Sequence, residues 1–459
     1  MTVRHRLIAA ASISLLAAGL LAGCSSGSSG GSTSFSKNAS GTLKAWAFDN
    51  ADDVGKARLA YAKSHLHGVS IDLDQTTFDA QKFTTRVASG NVPDVVQMDA
   101  QFVATYAAQG LITPLDKCYQ AHHVSAASTF YQSVKDDVSY DGHIWAVPQF
   151  YQPPAIILNT RVMDKAGVTP ADINTSKPDQ LISAIKKMYV ANGDKPVTMG
   201  FDPVASGQPG LWLLGYGGQI IDSSGKPTLN DSKNVKGLQV LKRIYDAQGG
   251  YAADKSFTDT FDTFGKKNQF VKDQVGAQVD NQWYVNVLTP YIKQVQISAV
   301  PFYSSDGKPF TVTSGTAFVI PSAAKNKDAA CAWALSLDSM GAWKAAGAAR
   351  AKTLKATPGA VDTGLFTGSP KADAYIHKTY VKPTGNAGFD KTIETYYDVV
   401  GNGKSIGTSP AGQQIQTELQ NALQSTLLGS KSPSAALKDA QSAAMNAYRQ
   451  AVKNATPSK

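Results

Sequence analysis

Between residues 41 and 110 the apolar residues of this chain switch repeatedly between two periods, and that switching limits the folds open to it. "GTLKAWAFDN" (41–50) alternates apolar and polar residues and ends in Asp49 and Asn50, which predicts a strand. "ADDVGKARLAYAKSHL" carries Val54, Ala57, Leu59 and Tyr61 at helical spacing. "GVSIDLDQ" alternates again, "FDAQKFTTRVASGN" reads as a helix closed by Gly90, "PDVVQMD" as a buried strand, and "QFVATYAAQGL" as a helix with Gly110 past its end. Strand, helix, strand, helix, strand implies an α/β lobe built on a largely parallel sheet.

Further along, "GHIWAVPQFYQPPAIILNT" (142–160) holds two apolar strand-like runs around a proline-bearing connector. "QFVKDQVGAQVDNQWYVNVL" reads as helix, strand, helix, "GTAFVIP" as a strand, and "KDAACAWALSLDSMGAWKAAG" as one long apolar helix. Amphipathic helices are expected over "PDQLISAIKKMYVAN" and "NVKGLQVLKRIYDAQ", and two more make up the tail from residue 412. Beyond the leader and tether about 420 residues remain, enough for two lobes with full cores.

The N-terminus is of another kind. Arg4, His5 and Arg6 precede an apolar run from Leu7 to Leu21, roughly 15 residues and shorter than a membrane-spanning helix requires. A basic head, a short apolar run and small residues at its end predict a secretory signal over residues 1–23. Leu21-Ala22-Gly23-Cys24 resembles the lipobox of bacterial lipoproteins, in which cleavage precedes the cysteine and its thiol carries diacylglycerol. That resemblance implies an anchor at Cys24, with the Gly/Ser-rich residues up to 41 as a flexible tether, since two acyl chains hold a protein at a membrane stably. Everything beyond would then work outside the cytoplasm.

Charge excludes some functions. The chain's formal charge of +9 falls to +7 once Arg4 and Arg6 leave with the leader, and only 17% of residues are charged. The lysines are scattered, with no focused basic stripe of the kind nucleic acid requires. His65, His67, His122 and His123 do not assemble a zinc-spaced set, so neither metal nor other cofactor is expected. The G-x-S-x-G at Gly27–Gly31 lies in the tether rather than between a strand and a helix, and Gly403-Lys404-Ser405 lacks the leading glycine of a P-loop, with Asp398 in its place. No enzymatic motif survives. After Cys24 two cysteines remain, Cys118 and Cys331, and an extracytoplasmic setting permits a disulfide or two free buried thiols.

The order of segments resembles that of the extracellular solute-binding proteins of bacterial ABC importers, in particular the sugar-binding group that includes maltose-binding protein. "VASGNVPDVVQMDAQFVATYAAQGLITPLD" (87–116) is similar to that family's G-x-x-P-D strand and following helix. "DGHIWAVPQFYQPPAIILNTRVMDKAG" is similar to its V-P segment, and "FVKDQVGAQVDNQW" to its F-x-x-G-x-x-A-M…W segment, with Gln278 where methionine is commoner. The resemblance implies a two-lobed periplasmic-binding-protein-like α/β fold with three lobe crossings, near Phe150, near Pro301 and beyond Arg350. Residues 42–149 and 302–350 would form lobe 1, and 150–301 and 351–459 lobe 2, with Cys118 and Cys331 in the same lobe. It implies a monomeric, non-enzymatic receptor that takes a mono- or oligosaccharide from a cleft between the lobes to the transmembrane subunits of an ABC permease.

A sugar cleft needs polar groups for hydroxyls and aromatic faces for sugar rings. The resemblance carries Asp49, Gln101, Gln152 and Trp283 over as ligand contacts, Trp283 as the stacking platform. Asn50, Asp99, Tyr151 and Asn281 are their neighbours at strand ends and at the first crossing, where α/β lobes bind ligand. Trp212 and Arg350 complete the candidate set, while Trp46, Trp145, Trp333 and Trp343 sit in core-like patterns. Asp49, Asn50 or Asp99 as a helix cap is the competing reading. Two other functions fit such a scaffold: ferric iron held through Tyr396 and Tyr397, or an enzymatic or non-transport sugar-binding role.

Overall fold

In the computed structural model, residues 34–455 are described apart from Asp49, Ser206, Pro209 and Pro358. The leader, the lipobox with Cys24 and most of the tether lie outside the described residues. No helix among the described residues is long and apolar enough to cross a membrane.

Two five-stranded sheets organise the chain. In the first, Gly41–Trp46 pairs in parallel with Val69–Asp74 and with Val95–Asp99. Thr316–Val319 then closes the sheet antiparallel to both Val95–Asp99 and Val147–Pro148. The alternation in 41–46 is the fold's own: Leu43 and Ala45 point into the core while Thr42 and Lys44 stay outside. Helix Asp53–His65 begins where the Asp52 carboxylate accepts from the Gly55 amide at 2.8 Å. A Cβ at Gly55 would lie 1.9 Å from the Asn50 carbonyl, so the turn leaving the first strand folds tightly over the helix start.

In the second sheet Pro154–Asn159 is the hub, antiparallel to Ile297–Val300 on one side and to Val275–Asn281 on the other. Lys195–Asp202 runs parallel to Val275–Asn281 and carries Val190–Asn192 on its outer edge. Every residue of Pro154–Asn159 and of Val275–Asn281 is buried, because both faces of this sheet are covered. That is why these strands do not alternate in sequence.

Three local expectations need correcting. "KDAACAWALSLDSMGAWKAAG" forms two helices, Lys327–Leu337 and Met340–Lys355. The break falls at Asp338 and Ser339: the Asp338 carboxylate accepts from the Trp343 indole at 3.0 Å, and Ser339 caps the second helix at Ala342. The segment before Val275 is a set of turns, with the Asn268 side chain accepting from the amides of Phe270 and Val271. The strands Phe302–Tyr303 and Pro309–Val312 join Gly403–Lys404 in a small sheet of their own, and Phe302 packs edge-on against Trp212, 4.9 Å between ring centres. Residues 302–312 therefore stand with the second sheet rather than with the first. At the other end of the division, helix Pro370–Tyr380 packs on Met340–Lys355, and Ile376 shares a buried cluster with Val54 and Trp343.

Cys118 and Cys331 form a disulfide, with an S–S distance of 2.07 Å and Cα atoms 5.8 Å apart. It ties helix Asp116–Ala121 to helix Lys327–Leu337 across 213 positions of sequence, both within the core of the first sheet. Both partners sit in apolar helical surroundings, where the sequence alone left open free thiols or a bridge.

Candidate functional site

The C-terminal ends of the strands in both sheets converge on a cleft of about 350 Å³, within the range of small-ligand sites. Asp99 and Gln101 reach it from the end of Val95–Asp99. Asn281 reaches it from the end of Val275–Asn281, and Gln152 from the segment between the two sheets. These four are the sequence-expected residues that the fold brings together. The antiparallel register setting Thr316 opposite Asp99 brings Thr313–Thr316 along the floor. There the Gln152 amide donates to the Ser314 carbonyl at 2.9 Å. A Cβ on Gly315 would stand 2.0 Å from the Phe150 carbonyl, so these two connecting segments run side by side only because residue 315 is glycine.

Gln208 is the keystone that the sequence reading missed. Its Nε2 donates to Asn281 Oδ1 at 3.1 Å and to Ser314 Oγ at 2.9 Å, while its Oε1 has no hydrogen-bond partner. Gln416 and Gln420, one turn apart on helix Gly412–Leu427, form the opposite wall. That helix also contacts the turn Ala100–Phe102, so it reaches across to the first sheet. The signal was present in "GQQIQTELQ": an amphipathic helix whose polar face is mostly amides, with Glu418 its one charge. Thr313 Oγ1 and Gln416 Nε2 are likewise without partners.

The electrostatics are one-sided. None of the described residues lining the cleft is lysine or arginine, and its two ionisable groups are Asp99 and Asp137. Desolvation raises the Asp99 carboxyl, partly offset by the neighbouring Gln101 side chain. Asp99 makes no side-chain capping bond to the helical turn that follows it, so the capping role is not the one it plays. Burial pushes Asp137 up to about 7 against a hydrogen bond from Ser405.

The other expected residues are placed elsewhere. Asp49 lies outside the described residues. Asn50 is half-buried with its Oδ1 unpartnered and does not line the cleft. Tyr151 is buried edge-on against Tyr131, 5.7 Å between ring centres, so it packs the connection between sheets instead of facing ligand. Trp212 is core: it is fully buried, its indole donates to the Pro203 carbonyl at 2.8 Å, and it packs on Phe201 and Phe302. Helix Gly210–Gly215 is buried at every position from Leu211 to Gly215, so it leaves Trp212 no open face toward the cleft. Arg350 is structural, with Nη2 2.8 Å from Asp52 and Nε 3.0 Å from Asp53, tying helix Met340–Lys355 to the start of Asp53–His65. Burial works to raise the Asp53 carboxyl, but the Arg350 pairing prevails and holds it below the usual range. Tyr396 is fully buried and donates its hydroxyl to the Asp280 carbonyl at 2.7 Å, so it is no iron ligand. Among the described residues no group of His, Cys, Asp and Glu is arranged to hold a metal ion.

Trp283 opens helix Trp283–Leu288 and is half-buried, but it lines a neighbouring chamber of about 300 Å³ rather than the cleft. The two cavities lie on either side of the loop after Lys195–Asp202: Val204 and Ala205 face the chamber, Gly207 and Gln208 the cleft. Phe264, 71% exposed, stacks on the Trp283 indole with ring centres 5.7 Å apart.

Two sheets joined by several chain crossings, with a polar cleft fed by the strand ends of both, define a two-lobed ligand-binding protein of the maltose-binding type. Residues 56–336 match the family of bacterial extracellular solute-binding proteins, and the chain belongs to that family. An arabinooligosaccharide-binding protein of Bacillus subtilis (strain 168) is 26% identical over 253 residues, covering 53% of this chain and 55% of the relative. The match thus spans about half the length of that relative. Among solved structures, CpMnBP1 with mannotriose bound superposes with a TM-score of 0.69 at 21% identity, over 88% of this chain and 99% of that one. The maltose-binding periplasmic protein MalE of Listeria monocytogenes, in complex with maltose, gives a TM-score of 0.60 at 18% identity, over 89% and 98%.

Proposed function

We propose that this protein is a membrane-tethered receptor that captures a neutral oligosaccharide in the cleft and hands it to an ABC import permease. The observation that carries the reading is the cleft's lining: Gln101, Gln152, Gln208, Asn281, Gln416 and Gln420 with threonine and serine hydroxyls, and no lysine or arginine among the described residues there. Amides donate and accept at once, as sugar hydroxyls do, and the two aspartates add acceptors. Anionic cargo such as a sugar phosphate finds no countercharge in such a cleft and meets two carboxyls instead. The names of the similar proteins, which bind arabinooligosaccharide, mannotriose and maltose, support the same class. Calorimetry on the mature protein with a panel of neutral di- and trisaccharides and their phosphorylated counterparts tests it. At least one neutral saccharide is expected to bind, and its phosphorylated form to bind at least about tenfold more weakly. Tighter binding of the phosphorylated forms would overturn the reading.

The lobe boundaries belong to this proposal. Lobe 1 would comprise residues 42–149 and 316–380, since Leu365 shares the buried cluster of Val54, Trp343 and Ile376, and lobe 2 residues 154–312 and 387–455, with hinges at 150–153, 313–315 and 381–386. The anchor belongs to it as well: Cys24 would hold the receptor at the membrane, working as a monomer. Cys24→Ala is expected to move the protein from the membrane fraction to the medium of its host without changing ligand affinity. Retention of the variant at the membrane would refute the lipid anchor.

A further inference from the structure

The chamber beside the cleft is lined by three buried carboxyls that no basic side chain neutralises. Asp202 ends the strand Lys195–Asp202, Asp280 lies near the end of Val275–Asn281, and Asp254 comes from helix Tyr251–Thr258. They are 8%, 3% and 1% exposed. Asp280 is held by its neighbours: Gln278 Nε2 donates to it at 2.5 Å and the Asn281 amide at 2.7 Å. Asp202 accepts only from the loop after it, at the Val204 amide, 3.3 Å away, and at the Ala205 amide. Neither oxygen of Asp254 has a hydrogen-bond partner of ordinary geometry. The adjacent Gln248 gives its Oε1 and one Nε2 hydrogen to the backbone of Phe201, and its second Nε2 hydrogen is the one neutral donor that bears on Asp254. A second orphan is an amide: Gln269, 1% exposed, lines the same chamber and leaves its Oε1 unpartnered, while its Nε2 donates to Gln278, which in turn donates to Asp280. The one basic residue among the described lining is Lys255, whose ammonium pairs with Asp259 just past the end of its own helix. Trp283, Tyr245, Tyr251 and Phe261 supply the remaining, aromatic walls.

A buried carboxyl without a partner is costly to keep, and an unpaired acceptor beside it adds to the cost. Both costs vanish if a cation with several N–H donors enters, and aromatic faces add attraction for the same charge. An anion is excluded by the three acids. We propose that this chamber is a subsite for the ammonium group of an amine-bearing saccharide, with Asp254, Asp202 and Gln269 Oε1 as its acceptors and Trp283 as the wall against the sugar ring. The subsite extends the oligosaccharide cleft past the loop Val204–Gln208 and so rests on the carbohydrate reading of that cleft. The chemistry separates cleanly from it: the cleft takes neutral hydroxyls, the chamber one positive charge.

D-glucosamine and D-glucose, measured by calorimetry on the mature protein, are the probes. Glucosamine is expected to bind about tenfold or more tightly than glucose, the scale of one charge-assisted hydrogen bond. Asp254→Asn, an isosteric change, is expected to erase that preference, whereas Gln208→Ala in the cleft leaves it in place. Should Asp254→Asn fail to fold, Asp202→Asn tests the same preference. Equal affinity for the two sugars, no glucosamine binding, or a preference that survives both aspartate variants would overturn the proposal. Binding of neutral oligosaccharides with no glucosamine preference would refute the subsite alone. A glucosamine preference without binding of any neutral saccharide would leave the subsite standing and refute the carbohydrate reading of the cleft.

Discussion

The cleft and the chamber share one loop but treat their polar groups in opposite ways. In the cleft, Gln208 bridges Asn281 and Ser314, and the unpartnered atoms left over belong to neutral amides and a hydroxyl. In the chamber the unpartnered atoms are those of a carboxyl, Asp254, and of an amide oxygen, Gln269. A neutral orphan costs less than a charged one and is answered by any hydroxyl, while a carboxyl orphan asks for a charge. The difference teaches that two cavities of similar size, some 350 and 300 Å³, select ligands by what they leave unanswered rather than by volume.

The comparison breaks most violently if the shared wall is removed. Trp212 holds that loop from below, donating to the Pro203 carbonyl and packing on Phe201 and Phe302. Trp212→Ala is expected to cost about 3–5 kcal/mol in chemical denaturation, the usual range for deleting a buried tryptophan. The half-buried Trp283 replaced by alanine should cost less than half of that. Similar losses for both would mean that Trp283 is as much a core residue as Trp212, and that the chamber's aromatic wall is packing.

Next in size is the cleft itself. Gln208→Ala removes two hydrogen bonds among its lining residues and the amide best placed for a ligand hydroxyl. Neutral saccharide affinity is expected to fall roughly tenfold, the scale of one net hydrogen bond, with the melting temperature nearly unchanged. An affinity within twofold of the parent would show that the amide lattice orders the loop and does not bind ligand.

Much of this architecture was legible in the sequence, and the failures have a common cause. Periodicity located the first two strands and the tail helices, where one period holds over each whole segment, and unbroken apolar runs located Val95–Asp99 and the hub strand Pro154–Asn159. Strand ends pointed to Asp99 and Asn281, and the family resemblance to Gln101 and Gln152. What stayed hidden depends on contacts between segments far apart. Arg58 looks like a surface residue of helix Asp53–His65, yet it is fully buried, its guanidinium 4.0 Å from the centre of the Trp343 ring and bonded to Leu337 and Gln149. Trp212 and Tyr151 differ from expectation in the same direction: each was expected to face the cleft and each is buried by distant segments, Trp212 by Phe201 and Phe302 and Tyr151 by Tyr131. Gln208 lies in a loop without any periodic signal, so only the fold could place it.

The smallest effect is the most specific, and it concerns the chamber's charge. Burial raises Asp202 to about 6, Asp280 to about 7 and Asp254 to about 8, with Asp202 repelling the other two. The groups around Asp254 come from every surrounding element: Asp202 and Asp280 from the strands, Tyr189 from the end of helix Pro178–Met188, Tyr245 from helix Ser232–Asp246 with the amide Gln248 just beyond it, and Tyr251 and Lys255 from its own helix. In the unfolded chain the same carboxyls ionise near 4. Between about 4 and 8 the folded state therefore holds more protons than the unfolded one, and stability must fall as pH rises through that window, levelling off above it. Asp137 and Asp373, each raised to about 7, act with the same sign elsewhere in the molecule, so the parent's slope alone proves nothing about the chamber. The difference between parent and Asp254→Asn isolates it: the variant cannot ionise there, and its denaturation midpoint should decline less than the parent's between pH 6 and about 8.5. Saturating glucosamine should shrink the parent's decline as well, because the bound ammonium favours the ionised carboxyl that burial opposes. Parallel pH profiles for parent and variant would mean that Asp254 is neutralised within the protein, and the contrast between an answered cleft and an unanswered chamber would then fail.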